Sequence, residues 1–254
     1  MGGMTFDLKN ILATSDAGQV LEGPDVLEIA SMMHVFEDLT KWGAALNTVD
    51  SIDFVELPKF VDCISVNTTL KDLLDQAFDK EGRLSGTTFP AIAVLRAKVK
   101  TGKGNILQTL DTLLKSPAIQ NKLATESGGP LYSEVNGRIV IPMDRSSSVG
   151  IVHDASRSGK TVYVEPTEIV GPTNALRQAE AELRTEEARV WRLLTGEIVS
   201  ARADLETSVM AAGQLDLILG KVQLGKKLQG VIPQCGNEGI VSLKNAKQIG
   251  RAHV

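Results

Sequence analysis

The chain has 254 residues and a formal net charge of −4, which excludes a globally basic nucleic-acid binder but allows a local basic patch. Aromatic residues make up only 4% of the sequence, which favours extended helical packing, and Cys63 and Cys235 are too few for a zinc site or a disulfide framework. No apolar run reaches membrane-spanning length, and the start lacks a signal-peptide pattern. We therefore expect a soluble intracellular protein with no metal site and no membrane partner. Its expected location is the cytoplasm or, if the protein is eukaryotic, a chloroplast or mitochondrion.

Helical periodicity dominates the first half of the chain. A short helix is predicted from Phe6 to Leu12, ended near Gly18, and a longer amphipathic helix begins at Gly23. Apolar positions stay helical from Leu57 to Phe78, and Pro90 begins another helix at a position where its missing N–H is harmless. Residues 1–130 are predicted to form a helical core and lever segment. The last of these helices carries Arg96, Lys98, Lys100 and Lys103 on its outside, and its lysines are predicted to form a solvated face.

The β signals are confined to residues 131–166. Strands are predicted at Leu131–Val135 and Arg138–Met143, joined by Asn136-Gly137, because both positions of a tight hairpin turn need a positive φ. Two more strands are predicted at Val149–His153 and Thr161–Val164. A sheet this small must pack on helices, so the sequence predicts a mainly α fold with a small inserted antiparallel β unit.

The segment Ser158-Gly159-Lys160-Thr161 looks like the end of a phosphate-binding loop. The full motif needs a glycine five residues before Gly159, where this chain has Asp154, and a helix that begins at the Lys-Thr pair. The residues that follow are typical of a strand closed by Pro166 instead. We interpret the segment as a tight turn between strands, and no catalytic residue is assigned in the chain.

The loops of the β unit place four cations in one small region of a net acidic chain: Arg138, Arg145, Arg157 and Lys160. Two interpretations stay open. The cations are scattered surface charge, or they form a patch that contacts nucleic-acid phosphates.

A long helix is predicted from Thr167, since Leu176, Leu183 and Val190 recur seven apart. A single helix from Thr167 to Ala203 would be about 55 Å long and would protrude. Its predicted surface ion pairs are Glu180–Arg184 and Glu186–Arg189.

The apolar face widens again between Leu205 and Leu228, which predicts a return to the core through Leu215, Leu217, Ile218, Leu219 and Val222. Residues 167–230 thus form the lever helix and its return, and residues 231–248 are a Pro- and Gly-marked exit. Residues 249–254 match the translation of a common sequencing adapter and are interpreted as a scar.

A dense signature spans Gly150 to Pro166: Gly150, His153, Asp154, Ser156, Ser158, Gly159, Thr161, Glu165 and Pro166. It is similar to the signature of the second, recombination-suppressing branch of the MutS family, called MutS-two. Asn136–Pro142 resembles the strand before that signature, and Asn174–Glu182 resembles the opening of the long helix of the family. With weaker similarity at Gly18–Met33 and Ser116-Pro117, the resemblance extends over most of the chain. Four residues of the returning helix depart from it: Gly213, Gly220, Gln223 and Gly225.

The resemblance implies lever helices that carry a clamp, in a homodimer that closes around its ligand. It implies an ATPase domain beyond this segment, with ATP and Mg²⁺ as cofactors of the full-length protein, and often a small Smr nuclease domain. No cofactor is implied for the segment itself. This branch lacks the mismatch-reading domain, so Phe54-Val55-Glu56, which looks like a base-wedging Phe-x-Glu, is interpreted as a chance match.

Three functions stay open at this point. The first is the lever and clamp of an ATP-dependent protein that acts on branched or recombining DNA, with the four cations contacting phosphates without reading bases. The second is a ribosome-associated quality-control factor that grips rRNA. The third is a purely structural coiled-coil scaffold.

Overall fold

The computed structural model describes residues 8–16, 18–46, 56–124, 131–147 and 150–231, with residues 239 and 242. These residues confirm the prediction of a mainly α fold with a small inserted antiparallel sheet. The helices are α1 (Leu8–Asp16), α2 (Gly23–Leu46), α3 (Leu57–Val61), α4 (Thr68–Ala77), α5 (Pro90–Lys115), α6 (Pro117–Gln120), α7 (Thr167–Ser200) and α8 (Arg202–Leu228). The strands are β1 (Ser133–Val135), β2 (Arg138–Asp144), β3 (Ile151–Ala155) and β4 (Thr161–Glu165).

Most of the buried apolar side chains form one cluster, here called the main core. It joins α1, α2 and α4 to the second half of α7 and the first half of α8, with Phe36 of α2 and Leu194 of α7 fully buried in it. Two hydroxyls tie its elements together: Thr195 Oγ1 accepts from the Leu21 N–H at 3.0 Å, and Ser208 Oγ accepts from the Ser65 N–H at 3.0 Å. The main core therefore includes the far half of the long helix but none of the sheet.

The sheet has its own apolar cluster, here called the sheet cluster. Alternate residues of β2 and β4 point to one face, as the period of a strand requires, and they pack on Leu110 of α5. Leu114 of α5 and Ile119 of α6 pack against the same cluster. The residues of the two strands that belong to this cluster are Ile141, Met143, Val162 and Val164. The sheet thus sits on the end of α5 and on α6.

Helices α5 and α7 run antiparallel beside each other and connect the two clusters. Three ion pairs join them: Arg96–Glu187 at 3.0 Å, Lys98–Glu182 at 2.9 Å and Lys103–Glu180 at 3.0 Å. The lysines predicted to form a solvated face are exposed, and Lys98 and Lys103 pair with carboxylates of α7 while their side chains stay 53% and 58% exposed. Ion pairs between the two helices compete with ion pairs within one helix. Glu180 therefore pairs with Lys103 of α5 and not with Arg184 of its own helix, the predicted partner. The predicted Glu186–Arg189 pair is confirmed at 2.7 Å.

The long helix ends earlier than predicted. Ala201 departs from helical geometry, with φ −93° and ψ 7°, so α7 stops at Ser200 and α8 begins at Arg202. The predicted return to the core holds only as far as Leu215, which is buried. Leu217, Leu219 and Val222 are 50%, 37% and 48% exposed, so the prediction that they pack in a core is wrong for the described residues. Periodicity marks an apolar face but not whether another element covers it.

Several predictions fall outside the described residues: Phe6, Phe54, Val55, Val149, most of the exit after Val231, and residues 249–254. The predicted helical run from Leu57 to Phe78 is divided into α3 and α4. Among the helices that the structure describes, none combines the length and the apolar character needed to cross a membrane.

Candidate nucleic-acid interface

The sheet has strand order β1-β2-β4-β3, with all neighbours antiparallel. The predicted Asn136-Gly137 turn is confirmed, with φ of 52° and 71°. Asp144 pairs with Thr161 at one end of the sheet, while Glu165 ends β4 at the other, directly before α7. The sheet therefore has a base next to α7 and an opposite end, here called the tip, formed by residues 144–147 and 156–161.

The Ser158-Gly159 segment is a turn, as the sequence predicted. Gly159 has a φ of 69°, and its N–H donates to the Ser156 carbonyl at 2.8 Å. Strand β4, not a helix, begins at Thr161. Since a strand and not a helix N-terminus follows this turn, the segment does not fit the phosphates of ATP.

Three of the four predicted cations lie together at the tip. Arg145 directly follows β2, and its N–H donates to the Lys160 carbonyl at 3.0 Å, which brings Arg145 next to the β3–β4 loop that carries Arg157 and Lys160. All three residues are exposed. Arg157 and Lys160 form no ion pair with any residue that the structure describes. The tip therefore presents cationic side chains to solvent.

One carboxylate, Asp144, lies in the tip and a second, Asp154, lies beside it, and both accept hydrogen bonds from neighbouring groups. Asp144 Oδ1 accepts from Ser146 Oγ at 2.6 Å and from the Ser146 N–H at 2.9 Å. These bonds, the hydroxyl bond first, lower the pKa of Asp144 and keep it ionised. Asp154 Oδ1 accepts from the Ala155 N–H at 2.8 Å. Three cations against two carboxylates leave the tip modestly positive in a chain of net charge −4.

Arg138, the fourth predicted cation, lies at the base of the sheet. Its Nη1 donates to Glu165 Oε1 at 3.0 Å and Oε2 at 3.1 Å, and its Nη2 donates to Asn174 Oδ1 at 2.9 Å. Its side chain is only 20% exposed. The structure thus separates Arg138 from the other three, because it begins β2 whereas Arg145 follows the end of that strand.

The signature residues build the β3–β4 hairpin and its junction with α7. Gly150 has a φ of 126°, and a Cβ there would lie 2.3 Å from the Glu165 carbonyl oxygen, so the close approach of these two segments requires glycine. Ser156 pairs its N–H with the Thr161 carbonyl at 2.8 Å and accepts from the Thr161 N–H through Oγ at 3.2 Å. Pro166, which is buried, directly precedes α7.

His153 and Glu165 complete the signature. Val152 pairs with Val164 and Asp154 with Tyr163, so β3 carries a bulge at His153. His153 Nε2 lies 2.8 Å from Glu165 Oε2, and the Glu165 side chain is fully buried. Sequence analysis missed this arrangement, as well as the bond from the Arg177 guanidinium to the Asn136 carbonyl. The only sequence signal was that these residues recur in the family pattern.

No family model matches the chain. Three curated relatives named Endonuclease MutS2 match nearly all of it. The protein of Enterococcus faecalis is 28% identical and matches 91% of the chain, that of Halalkalibacterium halodurans is 28% identical over 97%, and that of Geobacillus thermodenitrificans is 26% identical over 95%. The chain is similar to MutS2 proteins over nearly all of its length, which supports its assignment to the MutS2 family.

The resemblance drawn from the Gly150–Pro166 signature is thereby confirmed. The chain spans between 29% and 31% of the length of these three MutS2 proteins. Among the residues that the structure describes, no group of three or more His, Cys, Asp or Glu side chains is placed to hold a metal ion.

Proposed function

We propose that this MutS2 chain is a lever and clamp segment that binds DNA through its phosphates, with the tip as the contact surface. The observation that carries the proposal is the convergence of Arg145, Arg157 and Lys160 at an exposed end of a sheet that stands apart from the main core. Long cationic side chains without a recognition helix or strand favour contacts to the backbone over contacts to base edges.

The charge distribution supports the same assignment. A net charge of −4 repels a polyanion from most of the surface, so a local positive patch decides which face approaches DNA. Helices α5 and α7 contain 26 and 34 residues, which corresponds to about 39 Å and 51 Å at 1.5 Å per residue. Side by side, they form an arm that carries the tip away from the main core.

The proposal extends to branched or recombining DNA as the ligand of the full-length protein. Homodimerisation and the use of ATP and Mg²⁺ are part of that proposal, and they rest on the family resemblance alone. The three relatives are named as endonucleases. An endonuclease activity of the full-length protein is part of the proposal, and on the family resemblance it is assigned to a domain beyond this segment.

A second candidate ligand is rRNA. Phosphate contacts do not distinguish rRNA from DNA by charge, so the same tip would serve a ribosome-associated factor. Tighter binding to an rRNA fragment than to DNA at the same salt concentration would favour this second candidate. Equal or weaker rRNA binding would favour DNA.

The decisive variant is Arg157→Ala with Lys160→Ala. The wild-type chain is expected to bind duplex and four-way-junction DNA with a dissociation constant of about 10⁻⁴ to 10⁻⁶ M, without base preference. Because each lost phosphate contact lowers the log–log salt slope by about 0.9, the double variant should bind more weakly, with a slope smaller by about 1.8. Fluorescence anisotropy at several salt concentrations measures both quantities.

The matched control is Lys226→Ala with Lys227→Ala, at the exposed end of α8. It removes the same charge and so tests for a general electrostatic effect. If the tip variant binds with wild-type affinity and slope, the tip is not the contact surface, and the scaffold interpretation is favoured.

A further inference from the structure

A fully buried carboxylate lies at the base of the sheet. The side chain of Glu165 has no exposed surface, and it occupies the last position of β4, separated from α7 only by Pro166. An ionised group is stable in such a place only when several donors surround it. The helices and strands that supply those donors are therefore the elements that the carboxylate holds together.

The donors come from different elements. Arg138 begins β2 and donates to both oxygens of Glu165, while His153 reaches Glu165 Oε2 from the bulge of β3. Arg138 also donates to Asn174 on α7. These four residues are called the Glu165 cluster below. Three strands and the long helix thus meet at one carboxylate.

We propose that Glu165, Arg138 and His153 are positioning residues that fix the orientation of the β unit on α7 and thereby aim the cations of the tip. The expected effect of this orientation on DNA binding rests on the proposed function. The orienting role itself does not depend on that function. The apolar contacts of the sheet cluster hold the sheet against α5 and α6 but are non-directional. Hydrogen bonds to charged groups are short and directional, so they select one orientation.

The geometry of β2 explains why the base matters to the tip. From Arg138 to Asp144 the strand advances six residues, about 20 Å at 3.3 Å per residue. A tilt of roughly 10° at the base would therefore move the tip by about 3.5 Å. This displacement is larger than the variation in donor–acceptor distance that a hydrogen bond tolerates. Loosening the Glu165 cluster should therefore disturb contacts at the tip without changing its charge.

The test is a distance measurement by double electron–electron resonance on the full chain. Spin labels are placed at Ser158→Cys, an exposed site at the tip, and at Thr185→Cys, an exposed site on α7, with Cys63 and Cys235 replaced by serine. The wild-type background should give one narrow distance distribution. Glu165→Gln removes the charge at nearly constant volume and should broaden the distribution or shift its centre by about 3 Å, as estimated from the strand length.

The matched control is Glu168→Gln, which removes a carboxylate three residues later, from the exposed first turn of α7. It should leave the distribution unchanged. If Glu165→Gln does not fold by circular dichroism, His153→Ala provides the measurement. His153 is partly exposed, and its loss detaches only β3 from the cluster. A folded His153→Ala or Glu165→Gln chain with the wild-type distribution would overturn the proposal.

DNA binding provides a readout that a merely stabilising role would not change. In folded Glu165→Gln the charges of the tip are intact, so a smaller salt slope, by about 0.9 for one lost contact, supports positioning. A lower melting temperature with unchanged slope and distances indicates stabilisation alone and contradicts it. If the wild-type chain binds no DNA, the proposed function fails, while the distance measurement still decides the role of the Glu165 cluster.

Discussion

Gly150→Ala is expected to destabilise the β unit by about 3 kcal/mol or more. The new Cβ would lie 2.3 Å from the Glu165 carbonyl oxygen and 2.8 Å from Val164 Cγ1. The first of these atoms belongs to the backbone of β4, so it cannot rotate away. The φ of 126° adds strain for any residue with a side chain. Hydrogen exchange of the β3 and β4 amides measures the loss.

The control for this prediction is Gly104→Ala in the exposed middle of α5. A Cβ at Gly104 would meet no atom within 4 Å, so the substitution should stabilise the helix by about 0.5–1 kcal/mol. The same chemical change thus has opposite expected signs at two positions. Equal protection of β3 and β4 in Gly150→Ala and in the wild type would show that the hairpin does not adopt the described approach to Glu165.

Leu110→Ala is expected to lower the free energy of unfolding of the sheet by about 2–5 kcal/mol and to leave the stability of the main core unchanged. Leu110 is 2% exposed and supplies the contribution of α5 to the sheet cluster, whereas the main core is a separate set of residues. The aromatic residues allow the two ends to be observed independently. Both tyrosines, Tyr132 and Tyr163, lie in the β unit, and both tryptophans pack against the main core.

Denaturant titrations followed separately at the tyrosine and tryptophan bands should therefore diverge in Leu110→Ala, with the tyrosine transition moving to lower denaturant. Leu107→Ala, on the same helix but 48% exposed, is the matched control and should shift neither transition appreciably. A common shift of both signals in Leu110→Ala would mean that the two clusters unfold as one cooperative unit.

The sequence predicted the elements where local chemistry dominates. Asn136-Gly137 specifies a hairpin because both residues tolerate a positive φ, and Pro90 marks the start of α5 because it lacks only an N–H that a first turn does not use. The turn at Gly159 followed from the same kind of argument. The Gly150–Pro166 signature carried the resemblance to the MutS2 proteins, and Gly150 within it is required by the close approach to Glu165.

Relations between distant residues were decided by the tertiary structure. Arg138 and Arg157 look alike as exposed cations in the sequence, yet one neutralises Glu165 and the other meets solvent, because the pairing of β2 with β4 fixes which end of the sheet each occupies. The partner of Glu180 is Lys103, from an antiparallel helix far away in the chain. The apolar face of α8 was readable, but its burial stops at Leu215. Periodicity reports the face of an element, whereas burial and charge pairing depend on which other element arrives there, and only the folded chain determines that.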